Sequence, residues 1–330
     1  MDSMEALLSR NDGVLEPVDY NYSISFIAAG FDFGQLEEES IESIARIGED
    51  LGRDFEIVVT LPMKINLKSM ARILYLREIH PEFVSLSLDF HTEGEGRSSS
   101  FRNSTGKFII PFDLDRKYPI EYSDVLHSFL KLKLKRLFYS ELTLINRDII
   151  DEAGGWRDLE VGSDLDLYSR ISMNYGTLAF PSNLMGNDGV TVDRVLRISR
   201  IFDLKRSQLS ESVRVIRNFI VSCNLSFRET MEILNLIEDY EGLNLKLAGF
   251  LAYLGKRSLK VKPVIFDRNN LVVFMESVLE SLVLKEYQRL GDIGERMHFS
   301  LNRVFLNFLK NNSKLYREMN SSLSLLLSLK

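Results

Sequence analysis

Short β-branched runs alternate with amphipathic helical stretches through about the first 185 residues, and few folds accept that rhythm. Tyr22 to Ala29 (YSISFIAA) is an apolar run stopped by Gly30 and reads as a buried first strand. Gln35 to Ile47 follows with Ile41, Ile44 and Ala45 on one face and acids in its first turn, where the helix dipole favours them. Phe55 to Thr60 is a second strand, stopped by Pro62; Asn66 to Ile79 reads as a helix and Phe83 to Leu88 as a third strand. Lys107 to Phe112 is a fourth, with Pro111 near its end, where a missing ladder donor is tolerable. Thr92 to Ser104, rich in serine and glycine, reads as a polar loop and a mobile flap. Strand, helix, strand, helix in this order predicts an α/β fold with a mostly parallel sheet covered on both faces.

From about Val192 the texture changes. Leu196–Asn218, Ser226–Asp239, Leu243–Leu254, Leu271–Leu290 and Arg296–Tyr316 show helical periodicity, with Val261 to Phe266 as a short extended piece. The expected division is a flexible segment over 1–19, an α/β domain over 20–191 and a helical domain over 192–330.

The stretch richest in chemistry is Gly106 to Asp115, GKFIIPFDLD, an apolar strand that runs directly into Asp113 and Asp115. In open α/β sheets ligands bind outside the carboxyl ends of the strands. Two carboxylates at i, i+2 reach one divalent ion together, and hard oxygen ligands suit Mg²⁺ or Mn²⁺, which also accept substrate phosphates. The alternative is a polar loop with helix-capping duty.

These residues resemble glycosyltransferase family 2. Arg97 stands in the family's arginine register, Ser98 where asparagine is usual, Ser100 and Ser104 at the first glycine and the small residue, and Gly106 at the final glycine before the strand and D-x-D. A second match runs from Gly154 to Arg170: Gly154, Gly155 and Trp156, then Gly162, Asp164, Asp166, Leu167 and Arg170, with Ser163 in place of the usual glutamate. The resemblance spans roughly residues 20–190. It implies a Rossmann-like GT-A domain that binds a nucleotide-sugar donor, with Asp113 and Asp115 holding Mg²⁺ or Mn²⁺ against the diphosphate. Asp164 is implied as the base that takes the acceptor hydroxyl's proton, with inversion at the anomeric carbon. A carboxylate at a helix start stays ionised and accepts a proton transiently; the alternative makes Asp164 an N-cap and Asp166 a first-turn charge. Arg97 is expected to face the donor diphosphate, to orient Asp113, or to be solvated in its loop. Ala28 and Asp32, at and after the end of the first strand, are expected on the donor side, Asp32 with a turn role as the alternative. Gly155 and Trp156 are expected on the acceptor side, Trp156 stacking on a sugar or lying in the core.

The chain departs from the family in three places. The second strand ends Thr60-Leu61-Pro62 with no acid for the base and ribose, Ser163 removes a carboxylate, and no His lies between His127 and His298 to serve as a late metal ligand, a place for which Asn187 or Asp188 are the substitutes. A catalytically silent sugar-nucleotide binder or scaffold is therefore the alternative function. A sugar nucleotidyltransferase fits less well, because the loop after the first strand has no Arg or Lys.

Net charge -6 argues against a nucleic-acid partner. One cysteine, Cys223, excludes an internal disulfide, and Met1 to Asp19 is polar and acidic, so a cytoplasmic setting is expected, with attachment at the inner membrane face left open. The acceptor is a sugar, a lipid-linked molecule or a small molecule. The basic run Lys131, Lys133, Lys135, Arg136 is a lipid-facing surface or a solvated face, and the leucine-rich C-terminal end a membrane contact, a homodimer seam or core. The four histidines show no metal-ligand spacing.

Overall fold

The structure is a computed structural model that describes residues 22–31, 33–159, 162–181, 209–222, 226–234, 245–255 and 268–297. Strands β1 (Tyr22–Ala29), β2 (Phe55–Pro62), β3 (Phe83–Leu88) and β4 (Gly106–Pro111) are parallel, and the short β6 (Ile145–Asn146) closes the sheet antiparallel to β4. Their order is β3-β2-β1-β4-β6. β1 therefore sits in the middle, with the chain winding outward through β2 and β3 and then crossing to β4 on the other side. That reversal creates a crevice between the carboxyl ends of β1 and β4, the place where doubly wound sheets bind ligands. A second, two-stranded parallel sheet pairs β5 (Leu137–Tyr139) with β7 (Thr177–Ala179).

The apolar runs make the central strands because both faces are covered: Ile24, Phe26, Ile27 and Ala28 of β1 and Ile57 to Val59 of β2 are wholly buried. Helices α1 (Gln35–Asp50), α2 (Leu67–Ile79), α3 (Glu93–Arg102), α4 (Tyr122–Leu132), α5 (Arg147–Glu152) and α6 (Ser163–Tyr175) complete this half. Glu56 is buried at the opposite, amino end of the strands, where it accepts from Ser25 Oγ (2.6 Å) and from the Thr105 backbone N–H and so pins β1, β2 and the entry to β4 together.

Beyond the sheet the described residues are helical: α7 (Leu209–Ser222), α8 (Phe227–Leu234), α9 (Leu245–Gly255), α10 (Arg268–Val283), a 3-10 turn at Glu286–Leu290 and α11 (Asp292–Glu295). α10 joins the core of the α/β half. Its Ser277 and Ser281 hydroxyls accept from the Thr177 and Ala179 backbone N–H groups (3.0 and 2.9 Å), and Phe274 lies edge-on to Tyr139. The expected boundary at residue 192, the Val261–Phe266 piece, Cys223 and the C-terminal stretch lie outside the described residues.

The fold is thus the α/β arrangement expected, with one correction. Thr92 to Ser104 contains a helix, and its glycines serve close packing instead of a flap: a Cβ on Gly94 would lie 1.9 Å from the Arg157 carbonyl oxygen, and one on Gly96 2.6 Å from Ala29 Cβ. Thr92 caps this helix by accepting from the Glu95 backbone N–H (3.1 Å).

Candidate active site at the β1–β4 crevice

Because α3 lies flush on the sheet, Arg97 is delivered into the crevice and is only 2% exposed. Its Nη1 donates to the carbonyls of Ile27 (2.8 Å) and Phe112 (2.6 Å), the last turns of backbone from β1 and β4. Its Nη2 donates to Asp113 Oδ1 (3.0 Å) and stands 3.5 Å from Asp164 Oδ2. One buried guanidinium thus joins the two halves of the motif pattern. Burial pulls its pKa down, but Asp164, Asp113 and Glu93 together outweigh that and hold it above the usual arginine value. Arg97 is thus buried and not solvated in its loop, and Asp113 is one of its hydrogen-bond partners.

Asp113 and Asp115 flank Leu114, which is 5% exposed and anchors the turn in the core. The turn is fixed from three sides: Ser40 Oγ donates to the Asp113 carbonyl (3.0 Å), the Asp113 N–H donates to the Tyr118 hydroxyl (2.8 Å), and Arg116 lies over the Tyr118 ring (4.8 Å). Asp113 remains half-buried and Asp115 exposed. Asp113 and Asp164 share one guanidinium, and Asp113 with Asp115 offers an oxygen-only donor pair that fits a hard divalent cation whose remaining ligands come from phosphate and water.

Asp164 sits in the first turn of α6, after Gly162 in the left-handed region (φ 76°), and not at the N-cap itself. Its Oδ1 accepts from the indole N–H of Trp156 (2.6 Å). Trp156 is 5% exposed and packs on Phe101 of α3 (5.5 Å between ring centroids), so the indole is a core group and presents no open face for stacking on an acceptor. The turn that aims it is built by Gly154 (φ 82°) and Gly155 (φ 68°), conformations that favour glycine. Arg170 clamps that turn: its Nη2 donates to the Gly155 carbonyl (2.6 Å), its Nη1 to the Ala153 carbonyl, and its Nε to Asp166 (2.9 Å). Asp166 is 1% exposed and is therefore a structural anchor. Gly155 enters the site as backbone.

Other expected residues fall elsewhere. Ala28 is fully buried, and its carbonyl accepts from Ser100 Oγ (2.6 Å). Asp32, Asn187 and Asp188 lie outside the described residues. Thr60, at the position where the family carries an acid, is wholly buried and shares a 2.7 Å hydrogen bond with Ser100 Oγ, so it fastens α3 to β2. Ser163 is buried with its Oγ unpartnered among the described residues. Phe31, just past β1, is 54% exposed with its ring 5.0 Å from Phe90, an aromatic surface that no spacing rule marks.

One histidine meets two carboxylates in space, though no spacing along the chain marks it. Glu49, His80 and Glu82 bring three potential ligand atoms within 4.8 Å of one another. They lie at the end of α1 and before β3, the edge of the sheet opposite Asp113. Among the described residues no such group of three forms around Asp113 and Asp115.

No protein-family model matches the chain, and no curated protein matches it. Solved structures similar in chain trace include the mannosyltransferase PcManGT from Pyrobaculum calidifontis in complex with GDP-Man and Mn²⁺ (14% identity, 78% of this chain and 93% of that one, TM-score 0.46). S. aureus TarS 1-349 is another (12% identity, 88% and 93%, TM-score 0.42), as is M. tuberculosis glucosyl-3-phosphoglycerate synthase (13% identity, 62% and 82%, TM-score 0.38). At these scores the likenesses carry no assignment of chemistry, which rests on the residues of the crevice.

Proposed function

We propose that this chain is a metal-dependent, inverting glycosyltransferase that moves a sugar from a nucleotide-diphosphate sugar to an acceptor hydroxyl. The observation that carries the reading is the single guanidinium of Arg97 set between Asp113 and Asp164, 3.0 Å from one and 3.5 Å from the other. It supports the reading because the acid that would face the donor diphosphate through a metal and the acid that would take the acceptor proton share one cation. Asp113 and Asp115 would hold Mg²⁺ or Mn²⁺, which when bound supplies the positive charge that a departing diphosphate requires.

The acceptor oxygen attacks the anomeric carbon from the face opposite the leaving group. The bond from that carbon to the diphosphate oxygen breaks, and its electron pair leaves with the nucleoside diphosphate. The acceptor proton passes to Asp164, held in position by Trp156 and Arg97. One base acting on an external nucleophile gives a single displacement and so inversion. With no acid at Thr60, the exposed Phe31 ring at the end of β1 is the group offered to the nucleobase.

The test is thermal stability against nucleoside diphosphates and nucleotide sugars, with and without Mn²⁺. A ligand at about a hundred times its dissociation constant adds ~2.7 kcal/mol. Stabilisation by one nucleotide family that requires metal and is lost in Asp115→Ala supports the donor site; no stabilisation by any nucleotide removes it.

A further inference from the structure

Helix α2 is apolar on two faces and packs only one of them. Ser69, Ile73 and Leu76 are buried. On the other side Leu67 is 90% exposed, Met70 41% and Leu74 56%. At about 100° per residue these three form one outward stripe. Met63, 67% exposed in the turn before the helix, extends it. A surface helix with an apolar outer stripe marks a place of contact.

The charge beside the stripe says with what. Lys64 precedes the helix beside Met63 and Lys68 lies about 100° round the helix from Leu67; both are exposed, and neither forms an ion pair among the described residues. From Met63 to Glu78 the chain carries Lys64, Lys68, Arg72 and Arg77 against Glu78 alone, in a protein of net charge -6. Arg72 is already paired with Glu38. The more obvious basic run is less available: Lys135 pairs with Glu152 (3.0 Å) and Arg136 with Glu286 (3.1 Å). A second copy of the chain on a two-fold axis would set one lysine pair close to the other, which works against self-association.

We propose that α2 docks on an anionic lipid surface, with Leu67, Met70 and Leu74 entering the headgroup boundary and Lys64 and Lys68 meeting phosphates. No helix among the described residues is long and apolar enough to cross a membrane, so the attachment is in the plane of the surface. The turn into α2 leaves the carboxyl end of β2, the same edge of the sheet as Asp113, so docking brings the crevice beside the lipid. The inference does not depend on the transfer reaction.

Co-sedimentation of the full chain with vesicles of phosphatidylcholine, alone or mixed with phosphatidylglycerol, tests it. Binding is expected only to the anionic vesicles and weakens with salt. Lys64→Gln with Lys68→Gln should lower the partition about 25-fold, at roughly a fivefold factor per charge. Leu67→Asp with Leu74→Asp should abolish it. These four side chains are exposed, and unchanged melting temperatures would show that the variants fold; the glutamine pair decides the matter if the aspartate pair does not. Absence of binding to anionic vesicles overturns the proposal, as does equal binding by wild type and both variants. A dimer seen by sedimentation equilibrium and dissolved by the aspartate pair would assign the face to a second copy and overturn it too.

Discussion

Trp156 donates its indole N–H to Asp164 Oδ1 at 2.6 Å, so the carboxylate proposed as the base is held from the protein core and not by solvent. Trp156→Phe keeps a ring against Phe101 and removes only the donor. Since a hydrogen bond to a charged group contributes about 1.5–3 kcal/mol, kcat should fall roughly 10- to 100-fold with little change in donor affinity. Trp156 is also the sole tryptophan of the chain, so its emission should shift in Asp164→Asn. Steady-state kinetics and fluorescence check both; an unchanged kcat in Trp156→Phe would remove the positioning role.

Arg97→Met leaves Asp113 and Asp164 facing each other without their shared cation. Breaking a buried ion pair costs about 3–5 kcal/mol, and the partial exposure of the two acids (26% and 20% for their side chains) puts the expected loss at the lower end, about 3 kcal/mol. The denaturation midpoint reads it. Arg97→Lys keeps the charge but cannot reach both strand-end carbonyls and both carboxylates at once, so it should remain poorly active.

Gly94→Ala sets a methyl group 1.9 Å from the Arg157 carbonyl oxygen, which belongs to the backbone and cannot swing aside. Stability should drop by about 1–3 kcal/mol. Because α3 carries Arg97 and the displaced segment follows Trp156, activity should fall more than the loss of folded protein explains. Comparing specific activity with the folded fraction checks this.

Asp166→Asn weakens the clamp that Arg170 closes on the Gly154–Trp156 turn. Burial lowers the Arg170 pKa and Asp166 offsets that only in part, so the guanidinium depends on this carboxylate for its charge in a half-buried setting. The expected outcome is lower stability together with increased hydrogen exchange at Gly154 to Trp156, where Asp115→Ala should leave that turn protected.

β1 and β3 were legible in the sequence to the residue because each is an apolar run ended by turn-forming residues. α3 was not, because the face it buries consists of Gly94, Gly96, Arg97, Ser100 and Phe101, and no hydrophobic period shows a helix that packs through glycines and a guanidinium. β5, β6 and β7, at two or three residues each, are too short to carry a pattern. In the crevice, spacing and motif brought out Asp113, Asp164 and Arg97 as separate candidates. That Arg97 joins the other two depends on the crossing of the chain from β3 to β4, which no local pattern contains. Of the two readings open for Trp156, a ring stacked on a sugar or a core group, the structure has the core group, since only its neighbours decide whether an indole faces a ligand or a carboxylate.

The most direct measurement is release of nucleoside diphosphate from the nucleotide sugar that stabilises the protein, with Mn²⁺ present, for wild type and Asp164→Asn. The account predicts turnover by wild type and a loss of about 10²- to 10⁴-fold in Asp164→Asn, with metal-dependent donor binding retained. Turnover by Asp164→Asn equal to wild type would contradict it.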